Sequence, residues 1–211
     1  SGDYAIAGAP TDAIHHNYNG SAYIFKRNGT TWSEQQKISA SDKEQNDRFG
    51  YRVSISGDYA VAAAIFESNK GAAYIFKRTE TTWSQQQKIT ASDAADGDNF
   101  GCSVSIDGDY IIVGADNEDT GSSNAGAAYI YVRSGTTWSE QEKIQASDKA
   151  SEDNFGQSVS LSGDYAIVSA RNKDTGGTDA GVVYIFKRTG TSWAEQAILT
   201  ASDAQASDCF G

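Results

Sequence analysis

One short stretch recurs along the chain and limits what it can fold into. Asp98-Asn99-Phe100-Gly101 is followed by Val104-Ser105-Ile106-Asp107-Gly108-Asp109-Tyr110. Asp47-Arg48-Phe49-Gly50 leads in the same way to Val53-Ser54-Ile55-Ser56-Gly57-Asp58-Tyr59, and Asp153-Asn154-Phe155-Gly156 to Val159-Ser160-Leu161-Ser162-Gly163-Asp164-Tyr165. Partial copies stand at Ser1-Gly2-Asp3-Tyr4 and Asp208-Cys209-Phe210-Gly211. Trp32, Trp83, Trp138 and Trp193 step by 51, 55 and 55 residues, and Phe49, Phe100, Phe155 and Phe210 keep the same steps. A period of this length marks one supersecondary unit that buries its apolar face against its neighbours. The four-residue difference falls between Tyr59 and Trp83, in one variable connection.

Each full repeat holds four strand-like runs. The first alternates, as in Ser103 to Ile106, and a Gly-Asp turn such as Gly57-Asp58 closes it. Glycine there supplies the positive φ of a two-residue hairpin. The second run is small and apolar almost throughout, at Tyr4 to Ala9, Tyr59 to Ala64, Tyr110 to Ala115 and Tyr165 to Ala170. Such a run predicts a strand covered on both faces. The third is of the Tyr-Ile-Phe-Lys-Arg kind, beginning at Tyr23, Tyr74, Tyr129 and Tyr184. The fourth is polar between apolar ends, as in Trp32 to Ile38, which suits an exposed edge strand. Helix is poorly supported, because stretches such as Thr30 to Arg48 hold too few apolar residues for a buried face. The expected fold is therefore all-β: a β-propeller of four-stranded antiparallel blades. Its repeats would run over about 1–48, 49–99, 100–154 and 155–209, forming one domain or a segment of a longer array. The first strand of the first repeat is missing, so a longer array, or another copy completing the blade, is expected ahead of a self-contained ring of four.

Asp-x-Phe-Gly, then Val-Ser-Ile-Ser-Gly-Asp-Tyr, Val-Gly-Ala and Gly-Ala-Ala-Tyr-Ile-Phe together resemble the FG-GAP repeat, which builds the propeller of integrin alpha subunits. The added Thr-Thr-Trp-Ser-Glu-Gln-Gln-Lys-Ile and Ala-Ser-Asp segments look like the bacterial variety of secreted and surface proteins. The resemblance implies an extracellular location, secreted or on the cell surface. It also implies calcium in the connection between second and third strands. Calcium takes six to eight hard oxygen ligands. In the third repeat Asp116, Glu118 and Asn124 fall in ligand positions and Gly121 on the turn, while Thr120 replaces the central carboxylate. In the fourth repeat Arg171 and Lys173 occupy matching places and would repel the ion. The second repeat, with Glu67-Ser68-Asn69-Lys70, is too short, and the first keeps Asp12 near Asn17 and Asn19.

Acidic residues also precede each Phe-Gly. Asp93, Asp96 and Asp98 form the densest group and are a second cation candidate. The recurrence of the Asp before x-Phe-Gly argues instead that it accepts backbone N–H groups in a turn between blades. His15 and His16 are the only histidines; in a loop they could hold a metal. Cys102 and Cys209 lie two repeats apart, which leaves free or buried thiols, or a disulfide between distant repeats or between chains.

The net charge of −11 argues against nucleic acid, which needs clustered Lys and Arg. No apolar run approaches the roughly 20 residues of a membrane helix. There is no phosphate-binding loop, no Cys/His zinc spacing and no Ser-His-Asp or Cys-His arrangement. The recurring tryptophans and tyrosines read as packing rather than a sugar platform. The expected function is a non-enzymatic adhesive or binding module that offers propeller loops to a protein or glycan. The alternative is a structural protein that assembles with copies of itself into a fibre or surface layer. A third reading is an accessory domain of a hydrolase.

Overall fold

The computed structural model describes residues 1–12 and 18–211. His15, His16 and Asn17 lie outside the described residues. Fifteen strands form four antiparallel sheets, each strand beside its sequence neighbour. The first sheet contains β1 (Tyr4–Ala9), β2 (Ser21–Asn28) and β3 (Thr31–Ile38). The second contains β4 (Phe49–Ser56), β5 (Tyr59–Ala64), β6 (Ala72–Thr79) and β7 (Thr82–Ile89). The third contains β8 (Ser103–Asp107), β9 (Tyr110–Ala115), β10 (Ala127–Ser134) and β11 (Thr137–Ile144). The fourth contains β12 (Phe155–Ser162), β13 (Tyr165–Ala170), β14 (Val182–Thr189) and β15 (Ser192–Leu199). These are the blades of a β-propeller. Each packs on the next in chain order, and among the described residues no strand of the first blade packs on a strand of the fourth. The only helical piece among the described residues is a 3-10 turn, Glu67–Asn69, in the shortened connection of the second blade.

The core lies between blades. In β9, Ile111, Val113 and Ala115 face the second blade, while Ile112 faces the fourth. In β10, Ala127, Tyr129 and Tyr131 join the first of these clusters and Ala128 and Ile130 the second. Side chains alternate across a strand, so a strand between two cores must be apolar at every position. That is the physical origin of the uninterrupted apolar runs. Phe49, Phe100 and Phe155 each pack edge-on against their own blade, with Phe155 at 5.4 Å from Tyr184 and 6.0 Å from Phe186. The glycine that follows permits close approach: a Cβ on Gly156 would stand 2.3 Å from the Ala127 carbonyl oxygen.

A second contact repeats between successive blades. Tyr4 meets Trp83, Tyr59 meets Trp138 and Tyr110 meets Trp193, all edge-on at 5.6–6.0 Å. Arg78, Arg133 and Arg188 cover the other side of these tyrosines at 4.4–4.6 Å. Each outer hairpin carries a β-bulge that leaves one glutamine unpaired: Gln35, Gln86, Gln141 and Gln196. The bulge aims Gln35 and Gln141 at the indole N–H groups of Trp83 and Trp193. Gln86 Oε1 and Trp138 Nε1 hold the matching places, both atoms buried and without a hydrogen-bond partner among the described residues. The next residue, Gln36 or Gln87, accepts from the backbone N–H and donates to the carbonyl of Trp83 or Trp138. The fourth strand is thus an edge in its pairing, but Trp83, Trp138 and Trp193 are buried, which corrects the expectation of an exposed strand. Trp32 is 46% exposed because no blade of this chain covers it.

Candidate functional site

The connections between second and third strands and the linkers that enter each new blade share one end of the propeller. Backbone bonds tie them together: Gly97 N–H donates to Asn69 O, Asn154 N–H to Asn124 O, and Phe155 N–H to Ala125 O. The recurring acidic residue organises each linker. Asp47, Asp98 and Asp153 are buried and accept the backbone N–H of Glu44, Ala95 and Ala150 at 2.5–2.7 Å. Burial raises the pKa of Asp47 and Asp98 above the usual carboxylate value, against the opposing effect of those bonds.

The predicted cation ligands have other partners. Glu118 is buried; its Oε1 accepts from Lys143 Nζ at 2.8 Å and its Oε2 from Gln145 Nε2 at 3.0 Å. Lys143 also reaches Asp93 at 2.6 Å and Thr120 Oγ1 at 3.2 Å. Burial lowers the Lys143 pKa, but the bonds to Asp93 and Glu118 outweigh it and hold the ammonium above its usual value. Asp116 accepts from the Asn99 amide at 3.1 Å, and Asn124 donates to Glu152. Asp93 binds the Tyr129 hydroxyl, Asp98 caps its turn, and Asp96 stands exposed. Among the described residues no three His, Cys, Asp or Glu side chains form a metal-ligand group. The lysine that enters this cluster recurs: Lys88 pairs with Asp42 and Glu67, and Lys37 with Asp12. Its signal was the Lys-Ile that ends the fourth run in the first three repeats: Lys37-Ile38, Lys88-Ile89 and Lys143-Ile144.

Cys102 and Cys209 are free thiols. Burial pushes the Cys102 pKa far up, which favours the thiol over the thiolate.

At the same end, where the inner strands start, a cavity of about 480 Å³ opens among the second, third and fourth blades. Much of its wall comes from positions that break the repeat, beside the repeated Val104 and Val159. The two residues after Phe-Gly are Tyr51-Arg52, Cys102-Ser103 and Gln157-Ser158, and all six line it. The residue just after the second strand is Ile65, Asp116 or Arg171, and these line it too. Burial raises the Asp116 pKa, partly offset by the Asn99 bond and by Arg52. The structural frame, including the lining valines Val104 and Val159, thus repeats, whereas the residue two after each phenylalanine and the residue after each second strand do not, a contrast visible on aligning the copies. Arg52 is the functional candidate that sequence reasoning missed.

Comparison with known proteins agrees with this architecture. A solved structure of a candidate 6-phosphogluconolactonase from Bacteroides uniformis superposes with a TM-score of 0.54 at 13% identity, over 90% of this chain and 51% of that one. The likeness is one of fold, and this chain spans about half the length of that protein. No curated protein matches the sequence. The FG-GAP repeat family matches residues 32–76, 83–131 and 138–186, more than half of the chain and three consecutive copies of the unit. The chain belongs to the FG-GAP repeat family.

Proposed function

We propose that this chain is a non-enzymatic binding module of an extracellular protein, and that it takes its ligand at the end of the propeller where the cavity opens. One observation carries the reading: against a repeated frame, the cavity is lined by Tyr51, Cys102 and Gln157 at one position of the repeat and by Ile65, Asp116 and Arg171 at another, a different side chain from each blade. Packing requires the same side chain in every copy, whereas a ligand contacts one place once. Family membership and the lack, among the described residues, of a helix long and apolar enough to cross a membrane are consistent with this setting. The test is a nuclear magnetic resonance titration of the labelled protein with a panel of soluble glycans and peptides. Shifts clustered around Arg52, Asn99 and Arg171 are expected. A ligand that shifts only the outer strands, or a panel that shifts nothing, would remove the reading.

A second reading, self-assembly, rests on the two end blades. Tyr165, Ile167, Ile198 and Leu199 are 42–44% exposed on the fourth blade, and Trp32 is exposed on the first. Tyr165 and Trp32 are the two halves of the contact that Tyr4–Trp83, Tyr59–Trp138 and Tyr110–Trp193 complete inside the chain. The partner would be a further blade of the same kind. Light scattering on the wild type and on Trp32→Ala decides: association lost in the variant supports the reading, and a monomeric wild type removes it.

A further inference from the structure

The chain has seven arginines, and they divide into two groups. Arg27, Arg78, Arg133 and Arg188 recur in every blade, and each pairs with an aspartate of the Gly-Asp turn: Asp3, Asp58, Asp109 and Asp164. Arg48, Arg52 and Arg171 have no counterpart in the other copies and form no ion pair among the described residues. Arg48 lies over the Phe66 ring at 4.8 Å. The other two line the cavity, Arg52 from β4 of the second blade and Arg171 from the connection that follows β13 of the fourth. In a protein of net charge −11, carboxylates are plentiful, yet these two guanidinium groups line one cavity whose wall holds a single carboxylate, Asp116, with which neither forms an ion pair; Arg52 donates only to its neighbour's carbonyl, Tyr51 O, at 3.1 Å. Guanidinium matches carboxylate geometry and holds it by paired hydrogen bonds.

The rest of the wall is polar and mostly uncharged. The Gln157 amide and Ser158 hydroxyl make no hydrogen bond among the described residues, and Asn99 lies beside Asp116. Burial raises the Asp116 pKa above its usual value, and its carboxyl accepts from the Asn99 amide. Tyr51 supplies an aromatic surface, with the Arg52 guanidinium stacked on it at 4.7 Å. A wall of amides and hydroxyls, with one ring and a cationic rim, suits a ligand bearing many hydroxyls and one acid group. A volume of about 480 Å³ accommodates a sugar residue with its bridging waters.

Resting on the binding reading above, we propose that the cavity receives a uronic acid residue of an acidic polysaccharide, its carboxylate taken by Arg52 and Arg171 and its hydroxyls by the polar wall. The probes are glucuronate, its neutral counterparts glucose and glucuronamide, N-acetylglutamate and inorganic phosphate, titrated into the labelled 211-residue protein. Glucuronate should shift cavity resonances, and both neutral sugars should bind about tenfold more weakly or worse, the loss of a charge-assisted pair. Arg52→Ala and Arg171→Ala should each weaken glucuronate by a similar factor, and Arg48→Ala should leave it unchanged. Because both cavity arginines are exposed, these variants are expected to fold, which the unchanged dispersion of their spectra checks. Equal binding of glucose and glucuronate would overturn the proposal, as would phosphate or N-acetylglutamate binding as tightly as the sugar acid. Shifts at the cavity from a neutral ligand alone would overturn the acid specificity and leave the binding reading standing. Silence from every probe here and from the wider panel would overturn both.

Discussion

At the scale of the residue, Lys143 decides the electrostatics of the loop end. It lies between Asp93 and Glu118, and Glu118 is buried. Removing one partner of a buried pair leaves the other charge without compensation, at a cost of about 3 kcal/mol. Lys143→Ala should therefore lower stability by about that amount in urea titration. The same variant frees Asp93, Glu118 and Thr120 for a hard cation. Millimolar calcium should raise its Tm by several degrees and leave the wild-type Tm unchanged. A wild-type Tm that rises with calcium would show instead that the ion binds in spite of the lysine. Asp12 gives a pH test. Hydrogen bonds from Lys37, Ser21 and Tyr23 hold its pKa down at about 2, against an ordinary value of 3.8. A carboxylate with a lowered folded pKa contributes stability that is present above the unfolded value and lost as pH falls through the folded one. Stability should therefore fall between about pH 4 and pH 2, and more steeply in the wild type than in Asp12→Asn. Parallel curves for the two proteins would show that Asp12 is not the group concerned.

At the scale of the element, the bulged outer hairpin is the unit that joins blades. Gln36 and Gln87 use both ends of their amides on the main chain of the next blade's tryptophan. Glu142 takes the same place against the fourth blade, and its Oε2 accepts the Trp193 N–H at 2.8 Å. An ionised carboxylate has no proton for the Trp193 carbonyl. Glu142→Gln should supply that bond and stabilise the protein by about 1 kcal/mol in equilibrium urea unfolding. A loss of stability would mean that the glutamate has a partner outside this contact. The opposite change is expected at Gly126, where φ is +81° and a Cβ would stand 2.1 Å from the Phe155 carbonyl oxygen. Gly126→Ala should cost more than about 1 kcal/mol, because strain adds to the clash.

At the scale of the whole molecule, stability is a sum of blades and of the contacts between neighbours. The second and third blades have a core on both faces, while the first and fourth have one. Amide hydrogen exchange should therefore be slowest in β5 and β9 and faster in β1 and β15. Uniform protection along the chain would contradict a core divided among three interfaces. The sequence alone determined the all-β blade, its four strands and the between-blade turn, because each feature follows from local chemistry repeated in register. Alternation marks a strand, Gly-Asp a hairpin, and an aspartate before x-Phe-Gly a capped turn. It also pointed to the loop end, since the length change falls there. What it did not determine was which charges meet. Lys143 and Glu118 are 25 residues apart, and Arg52 and Arg171 come from separate blades, so no local pattern connects either pair. The resemblance to the FG-GAP repeat implied a calcium ligand set in that loop, and only the tertiary structure places a lysine from the fourth strand of the blade among those oxygens. The cavity likewise exists only once three blades are packed side by side, because each contributes one part of its wall.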